Sequence, residues 1–453
     1  MNKIQTKVLE KALKAPRIVA SGMDVRLWVS GLSSSVCKIL LKDDRIWNVL
    51  TVLSIEDINR QFSRSGYKRA KGKFKKLIKG EAPTERTAWI NIDDNDLLDA
   101  IRRIILCQPL PRGQKDMELS KFNKWGPQGG KTKLVDIIAD ILGYFDPIEY
   151  TVPKRVEEAA IQRVIIKIED ALLKGGVLPE NMRVKWYTWQ QSLMESIAKG
   201  NLNSSSGTRQ NLPRKSKISI REAFHLVKKG IIGLANQVGT TLRKCKKRLY
   251  WSPSFAQNLD EGCMTIPLLD LMRYSHLACF QALDNLDFIG ASLTNFWGDR
   301  ELAAMFDFKK MDTKTGLDAV RVVSLILGRF SPEDGYDRLY ASLKNSVEVP
   351  LMITETLMLD GPHGEGSGSR WTNFLEVMFN LYIVEVMKMH TFLPDYTSDR
   401  SLIKHDKMPL AYNPSENFKF VSYINGDDLM LILTSASKFN GRIDPNTKFF
   451  TLT

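Results

Sequence analysis

The segment FKFVSYINGDDLMLILTS, residues 418–435, constrains this chain more than any other. Two runs rich in β-branched, aromatic and aliphatic residues flank Asn425-Gly426. Asn-Gly between such runs is the strongest short-range hairpin signal, because both residues tolerate positive φ. The predicted hairpin carries two carboxylates at its tip, Asp427 and Asp428. Neighbouring like charges are costly unless a cation neutralises them, so the hairpin needs a partner that helps to hold one. AAMF, residues 303–306, reads as a short strand with Asp307 at its end and Asp312 five residues further on. An aspartate pair at that spacing means little alone. It gains meaning once a second carboxylate segment can face it.

Between these segments lies GPHGEGSGSR, residues 361–370, with four glycines between Gly361 and Gly368. Glycine lets a loop adopt unusual backbone angles and come close to a ligand. TNFLEVMFNLYIVEVMKMH follows and reads as a helix of about five turns. Thr372, Glu376 and Asn380 recur every four residues and therefore share one face. Such a stripe is either the solvent side of the helix or a polar surface reading a ligand. Three ordered segments, two acidic and one glycine-rich, suit nucleotidyl transfer. That reaction asks for two divalent cations about 4 Å apart, one at the attacking hydroxyl and one at the leaving pyrophosphate. Magnesium accepts a few hard oxygen ligands and keeps several waters.

The remaining sequence narrows the partners. Lys and Arg outnumber Asp and Glu by 65 to 51, a net charge of +14 that favours polyanions. No apolar run reaches the length of a membrane span, and MNKIQTKVLEKALKAPRI reads as an ordinary helix without a signal-peptide core. The odd set Cys37, Cys107, Cys245, Cys263 and Cys279 lacks paired spacing, which argues for a reducing compartment. Cys263, His276 and Cys279 read as buried small residues in and before a helical stretch rather than as zinc ligands. WGPQGGKTKL has three residues between Gly126 and Gly130 where a P-loop needs four, so it reads as a glycine-rich turn.

Helical spacing dominates residues 1–150, in LLDAIRRIIL and KLVDIIADILGYF, and recurs from Val156 to about Lys199 and in REAFHLVKKGIIGLANQV. RSGYKRAKGKFKKLIKG, residues 64–80, carries eight basic residues and no acid, either a solvated face or a contact for an RNA backbone. KGNLNSSSGTRQNLPRKSK is the best candidate for a linker or mobile loop. Arg243, Lys244, Lys246, Lys247 and Arg248 gather before Tyr250 and Trp251. Beyond about Trp297, short apolar runs alternate with helical ones, which gives an α+β expectation.

The ordered ensemble resembles the RNA-dependent RNA polymerases of double-stranded RNA viruses, specifically the picobirnavirus and partitivirus group. Asp307 and Asp312 match motif A of that group. Ser367, Gly368, Ser369 and Thr372 match motif B, and Gly426, Asp427 and Asp428 match motif C. The basic cluster before RLYWSPSFAQNLDEG resembles motif F. The resemblance covers about residues 240–440.

The resemblance implies a right-hand polymerase of α+β class. Its helix-rich N-terminal half (1–150, then 151–300 with motif F) would build fingers, and residues 301–453 a palm with a fingers insertion at about 319–360. Asp307 and Asp427 would bind two Mg2+ ions, Mn2+ being the alternative, with Asp428 assisting. Asp312 would read the ribose 2′-hydroxyl with Ser367, Gly368, Thr372 and Glu376, the last in a position where relatives often carry Asn or Asp. Lys246, Lys247 and Arg248 would hold the triphosphate. The implied partners are template and product RNA and NTPs, in the host cytoplasm or virion interior. Only 25 residues follow Asp428, too few for motif D and a thumb, so the expectation is a thumb absent from this chain or supplied by a second chain or a capsid protein. The rival expectations are a non-catalytic RNA-binding or capsid-associated protein with a relic palm, and a reverse transcriptase.

Overall fold

The computed structural model describes residues 1–81, 94–122, 132–146, 152–243, 246–281, 302–307, 311–391, 418–425 and 428–435. Two sheets organise them. The larger is mixed and runs β1 (Leu50–Val52), β6 (Leu357–Leu359), β5 (Leu351–Met352), β2 (Asn236–Arg243), β3 (Lys246–Ser252). Its neighbours pair antiparallel except β2 and β5. The smaller is antiparallel throughout and runs β4 (Leu302–Asp307), β8 (Asp428–Ser435), β7 (Phe418–Asn425).

Helices pack around both sheets. The Lys154–Lys174, Phe255–Arg273, Leu317–Gly328, Tyr336–Glu348 and Thr372–Thr391 helices share one apolar core. The N-terminal helices and the larger sheet share another. The Phe255–Arg273 helix is capped by Ser254, whose hydroxyl accepts the Gln257 N–H at 3.1 Å, and is buried almost all round. A helix without a polar face is an interior helix, and this one carries Asn258 and Glu261 into the centre of the molecule. The Thr372–Thr391 helix packs on the Lys154–Lys174 and Leu317–Gly328 helices and on β7. It thus ties the smaller sheet to the larger helical core.

Several local expectations hold. The N-terminal segment forms a helix at Lys3–Ala12, closed by an Asn2 capping box. The basic run forms a helix at Arg64–Lys79, started by Ser63 and stopped by left-handed Gly80. Cys263 and Cys279 are buried, whereas His276, expected with them, is exposed in a left-handed turn at φ 51°. Among the described residues no helix is long and apolar enough to cross a membrane. Cys245, the Gly126–Gly130 turn, motif C residues Gly426 and Asp427, and everything after Ser435 lie outside the described residues.

Three segments differ from expectation. KLVDIIADILGYF is not one helix but two 3-10 turns around a short α-helix, interrupted at Ile137 (φ −115°, ψ 4°). Its apolar spacing serves burial of Leu134, Ile138, Ile141, Leu142 and Tyr144 rather than a single continuous face. The helix starting at Lys217 ends at Lys228, because left-handed Gly230 turns the chain towards β2. The Ser/Gly/Asn-rich stretch at 199–217 is a packed element, not a linker. Ser206, Thr208 and Gln210 are buried. Arg209, at φ 79°, reaches the carbonyls of Asn59 and Arg60 and the Glu222 carboxylate. Its short polar side chains satisfy the backbone of neighbouring segments, which composition alone cannot distinguish from a solvated loop.

Candidate active site

The smaller sheet brings the acidic segments together. Asp307 ends β4 and stands directly opposite Asp428, the first residue of β8. Asn425 ends β7 and pairs with the same Asp428. The strands β7 and β8 are therefore joined by two residues only, Gly426 and Asp427. Motifs A and C meet at one end of one sheet, as the hairpin signal and the AAMF strand require.

Asp312 lies in a short helix, Met311–Lys314, beyond the end of β4. Its carboxylate is held at both oxygens: Tyr144 Oη donates to Oδ2 at 2.6 Å and the Thr313 N–H to Oδ1 at 2.9 Å. Tyr144 is buried and packs edge-on against Trp251, with ring centroids 5.7 Å apart. Burial pushes the Tyr144 hydroxyl pKa well above its usual range, and the charge of Asp312 and their hydrogen bond push it the same way. The phenol is thus a fixed donor to Asp312. The charge of Glu376, on the Thr372–Thr391 helix, adds a smaller push in the same direction.

The glycine-rich loop is threaded between these parts. A Cβ on Gly364 would lie 2.4 Å from Thr313 O and 2.6 Å from Asp312 O, and one on Gly368 would lie 1.9 Å from Trp251 O. Only glycine permits these approaches. Ser367, at the crest, is exposed. Thr372 Oγ1 donates to Gly366 O at 2.9 Å, with Ser369 O at 3.1 Å and Glu365 Oε1 at 3.4 Å also in reach. Thr372, Glu376 and Asn380 are all buried, so the stripe is not the solvent side of its helix. Asn380 Nδ2 donates to Met311 Sδ at 3.7 Å, which sets this face against motif A.

Two buried acids that spacing did not single out brace the loop. Glu365 accepts the Ser346 hydroxyl at 2.7 Å. Glu261 accepts the Arg370 N–H at 2.8 Å, Ser369 Oγ at 3.1 Å and Gln257 Nε2 at 2.8 Å. Burial pushes Glu365 up to about 8 and Glu261 up to about 7. Glu365 was visible inside GEGSGSR, but nothing in its residue type announced burial. Tyr144 and Glu261 carry no sequence signal at all.

Lys246, Lys247 and Arg248 fall on β3, in the larger sheet, opposite Arg243, Leu242 and Thr241. Trp251 is buried against the glycine-rich loop, its Cβ 3.5 Å from the Cβ position of Gly366. The basic strand thus ends where the loop and the Asp312 turn meet.

No protein-family model matches this sequence, and no curated protein matches it. Among solved structures, the fold is similar to that of the RNA-dependent RNA polymerase of a human picobirnavirus. The TM-score is 0.59 over 85% of this chain and 71% of that one, at 16% identity. An insertion loop deletion mutant of a human picobirnavirus RNA-dependent RNA polymerase is similar at a TM-score of 0.58, covering 86% and 73% of the two chains, also at 16% identity. At that identity the likeness is one of fold.

Proposed function

We propose that this chain is an RNA-directed RNA polymerase that adds ribonucleotides to an RNA 3′-hydroxyl under the direction of a template. The observation that carries the reading is the register of the smaller sheet: Asp307 directly opposite Asp428, with Asp427 next in the chain. Residues directly opposed in an antiparallel pair have Cβ atoms about 4.5–5.5 Å apart. Like charges directly opposite each other in such a pair are destabilising, and a bound cation relieves that repulsion. An all-carboxylate donor set of this kind suits Mg2+, or Mn2+ in its place.

Asp307, Asp427 and Asp428 would hold two such ions, which when bound supply a nucleophilic 3′-oxygen and a stabilised pyrophosphate leaving group. Asp312, oriented by Tyr144, accepts the ribose 2′-hydroxyl. Ser367 and Gly368 at the loop crest, with Thr372 and Glu376 behind them, shape the pocket for that sugar. Lys246, Lys247 and Arg248 neutralise the triphosphate. On this reading the smaller sheet and the Thr372–Thr391 helix form the palm, the larger sheet and N-terminal helices form fingers, and the partners are template RNA, product RNA and NTPs.

The test is incorporation of labelled NTP on a single-stranded RNA template with Mg2+, comparing this chain with Asp427→Ala. Incorporation by the native sequence and its loss in the variant are expected. Salt-sensitive RNA binding with no incorporation by either would overturn the reading in favour of a binding protein. Preferential use of dNTPs would overturn it in favour of a reverse transcriptase.

A further inference from the structure

Behind the glycine-rich loop lies a cavity of about 350 Å3, lined by Gly200, Asn203, Ser204, Arg214, Asn258 and Arg370. It falls within the roughly 300–1,000 Å3 of ligand pockets. Two arginines face it from distant parts of the sequence. Arg214 donates from Nε to Ser205 O at 3.2 Å and lies over the Phe255 ring, 5.5 Å from its centroid. Arg370 directly follows the Ser367-Gly368-Ser369 crest and donates from Nη2 to Ser196 Oγ. Both are half-buried, and neither forms an ion pair with a carboxylate among the described residues.

The charge balance is therefore open. Burial, and behind it the neighbouring Arg370, pushes the Arg214 guanidinium down to about 10. The nearby acid, Glu261, is already engaged by the Arg370 N–H, Ser369 and Gln257. Arg370 Nε is buried with no hydrogen-bond partner. Two half-buried like charges cost free energy that an anion in the cavity would offset, and the planar donors of arginine match phosphate oxygens.

We propose that Arg214 and Arg370 form a phosphate-binding site, which takes a backbone phosphate of an RNA strand passing behind the glycine-rich loop. The site rests on the polymerase reading for its ligand class, not for its geometry. Asn258 lines the same cavity and donates to Gly368 O at 3.4 Å. Occupancy therefore couples directly to the loop that carries Ser367.

The test compares the full chain with Arg214→Gln and with Asn203→Asp. The second variant sets a carboxylate at an exposed position on the cavity wall and leaves both arginines in place. Binding of a labelled single-stranded RNA is followed by anisotropy as salt is raised, and KM for NTP is measured in parallel. Loss of one strand phosphate lowers the slope of log K against log[salt] by about 0.7. Such a drop in both variants, at unchanged NTP KM, is the expected result. An unchanged RNA slope with a raised NTP KM would keep the phosphate site but assign it to a triphosphate. No change in either readout, in variants that melt like the native chain, would overturn the site while RNA binding by the native chain upheld the polymerase reading. Native protein that bound no RNA would remove that reading and this one together.

Discussion

Replacing Tyr144 with Phe removes one hydroxyl and leaves the ring against Trp251. The hydroxyl donates to Asp312 Oδ2 at 2.6 Å, a charge-assisted bond of a kind worth about 1.5–3 kcal/mol. Asp312 is only half-buried and keeps the Thr313 N–H at 2.9 Å, so the lower end, about 1.5 kcal/mol, applies. If Asp312 reads the 2′-hydroxyl, the loss should appear as sugar selectivity. The ratio of kcat/KM for an NTP over its 2′-deoxy counterpart should fall about tenfold, since about 1.4 kcal/mol is a factor of ten. Single-nucleotide incorporation measures it. Asp312→Asn should lower the same ratio, and the double variant should fall little further, because the two groups act as one unit. The raised pKa of the Tyr144 hydroxyl keeps it protonated beyond its usual range, so native selectivity should stay flat from pH 7 to 10. A Tyr144→Phe ratio within twofold of native, or additive losses in the double variant, would refute the reasoning.

Gly368→Ala would place a methyl 1.9 Å from Trp251 O. Backbone cannot yield as a side-chain end can, so a cost of about 1–3 kcal/mol is expected, read as at least a tenfold loss of incorporation with far-UV circular dichroism unchanged. Lys246→Ala, Lys247→Ala and Arg248→Ala should each raise NTP KM; an unchanged KM in all three would refute their assignment to the triphosphate. Glu365, pushed up to about 8, and Glu261, pushed up to about 7, hold protons in the folded chain that ordinary carboxyls release near 4.5. The folded state binds more protons across that window, so their stabilising contribution is full below about 4.5 and is lost as pH rises through 7 to 8. Thermal melts should fall from pH 5 to 9, and Glu365→Gln should flatten the fall; a native Tm that rose across this range would contradict both values.

The chain disclosed its strands and its site through different signals. Asn425-Gly426 and the β-rich runs around them signalled the β7–β8 hairpin, one residue off its register because Asn425 itself pairs with Asp428, and AAMF signalled β4. The helix after the glycine-rich loop was legible from its spacing. Which way its polar stripe faced was not, since Thr372, Glu376 and Asn380 would look the same on a wet face. Burial of that stripe comes from distant segments such as Met311, which meets Asn380 from more than sixty residues away in sequence. The 199–217 segment shows the opposite failure. Its composition signals a loop, yet Arg209 pins it to Asn59 and Arg60, a long-range contact no local window contains. Tyr144 and Glu261 were invisible for the same reason: their roles come from partners, not from residue type.

The glycine-rich loop explains why so much of the site is long-range. Each of its tight approaches is to a different segment: Gly364 to the Asp312 turn, Gly368 to the end of β3, and Ser369 and Arg370 to Glu261 of the buried helix. A loop gripped at three places cannot relax on its own. Moving its crest requires Asp312, Trp251 or Glu261 to move too, and Trp251 and Asp312 are already joined through Tyr144. Ser367, the exposed residue of that crest, is thereby positioned by parts that also orient Asp312 and end the basic strand. Sugar, triphosphate and loop should respond together to a single packing change. Accordingly, Trp251→Phe, which keeps an aromatic ring but shrinks the junction, should lower sugar selectivity and raise NTP KM in the same variant. A change in only one of the two would show that the segments meet without acting as one unit.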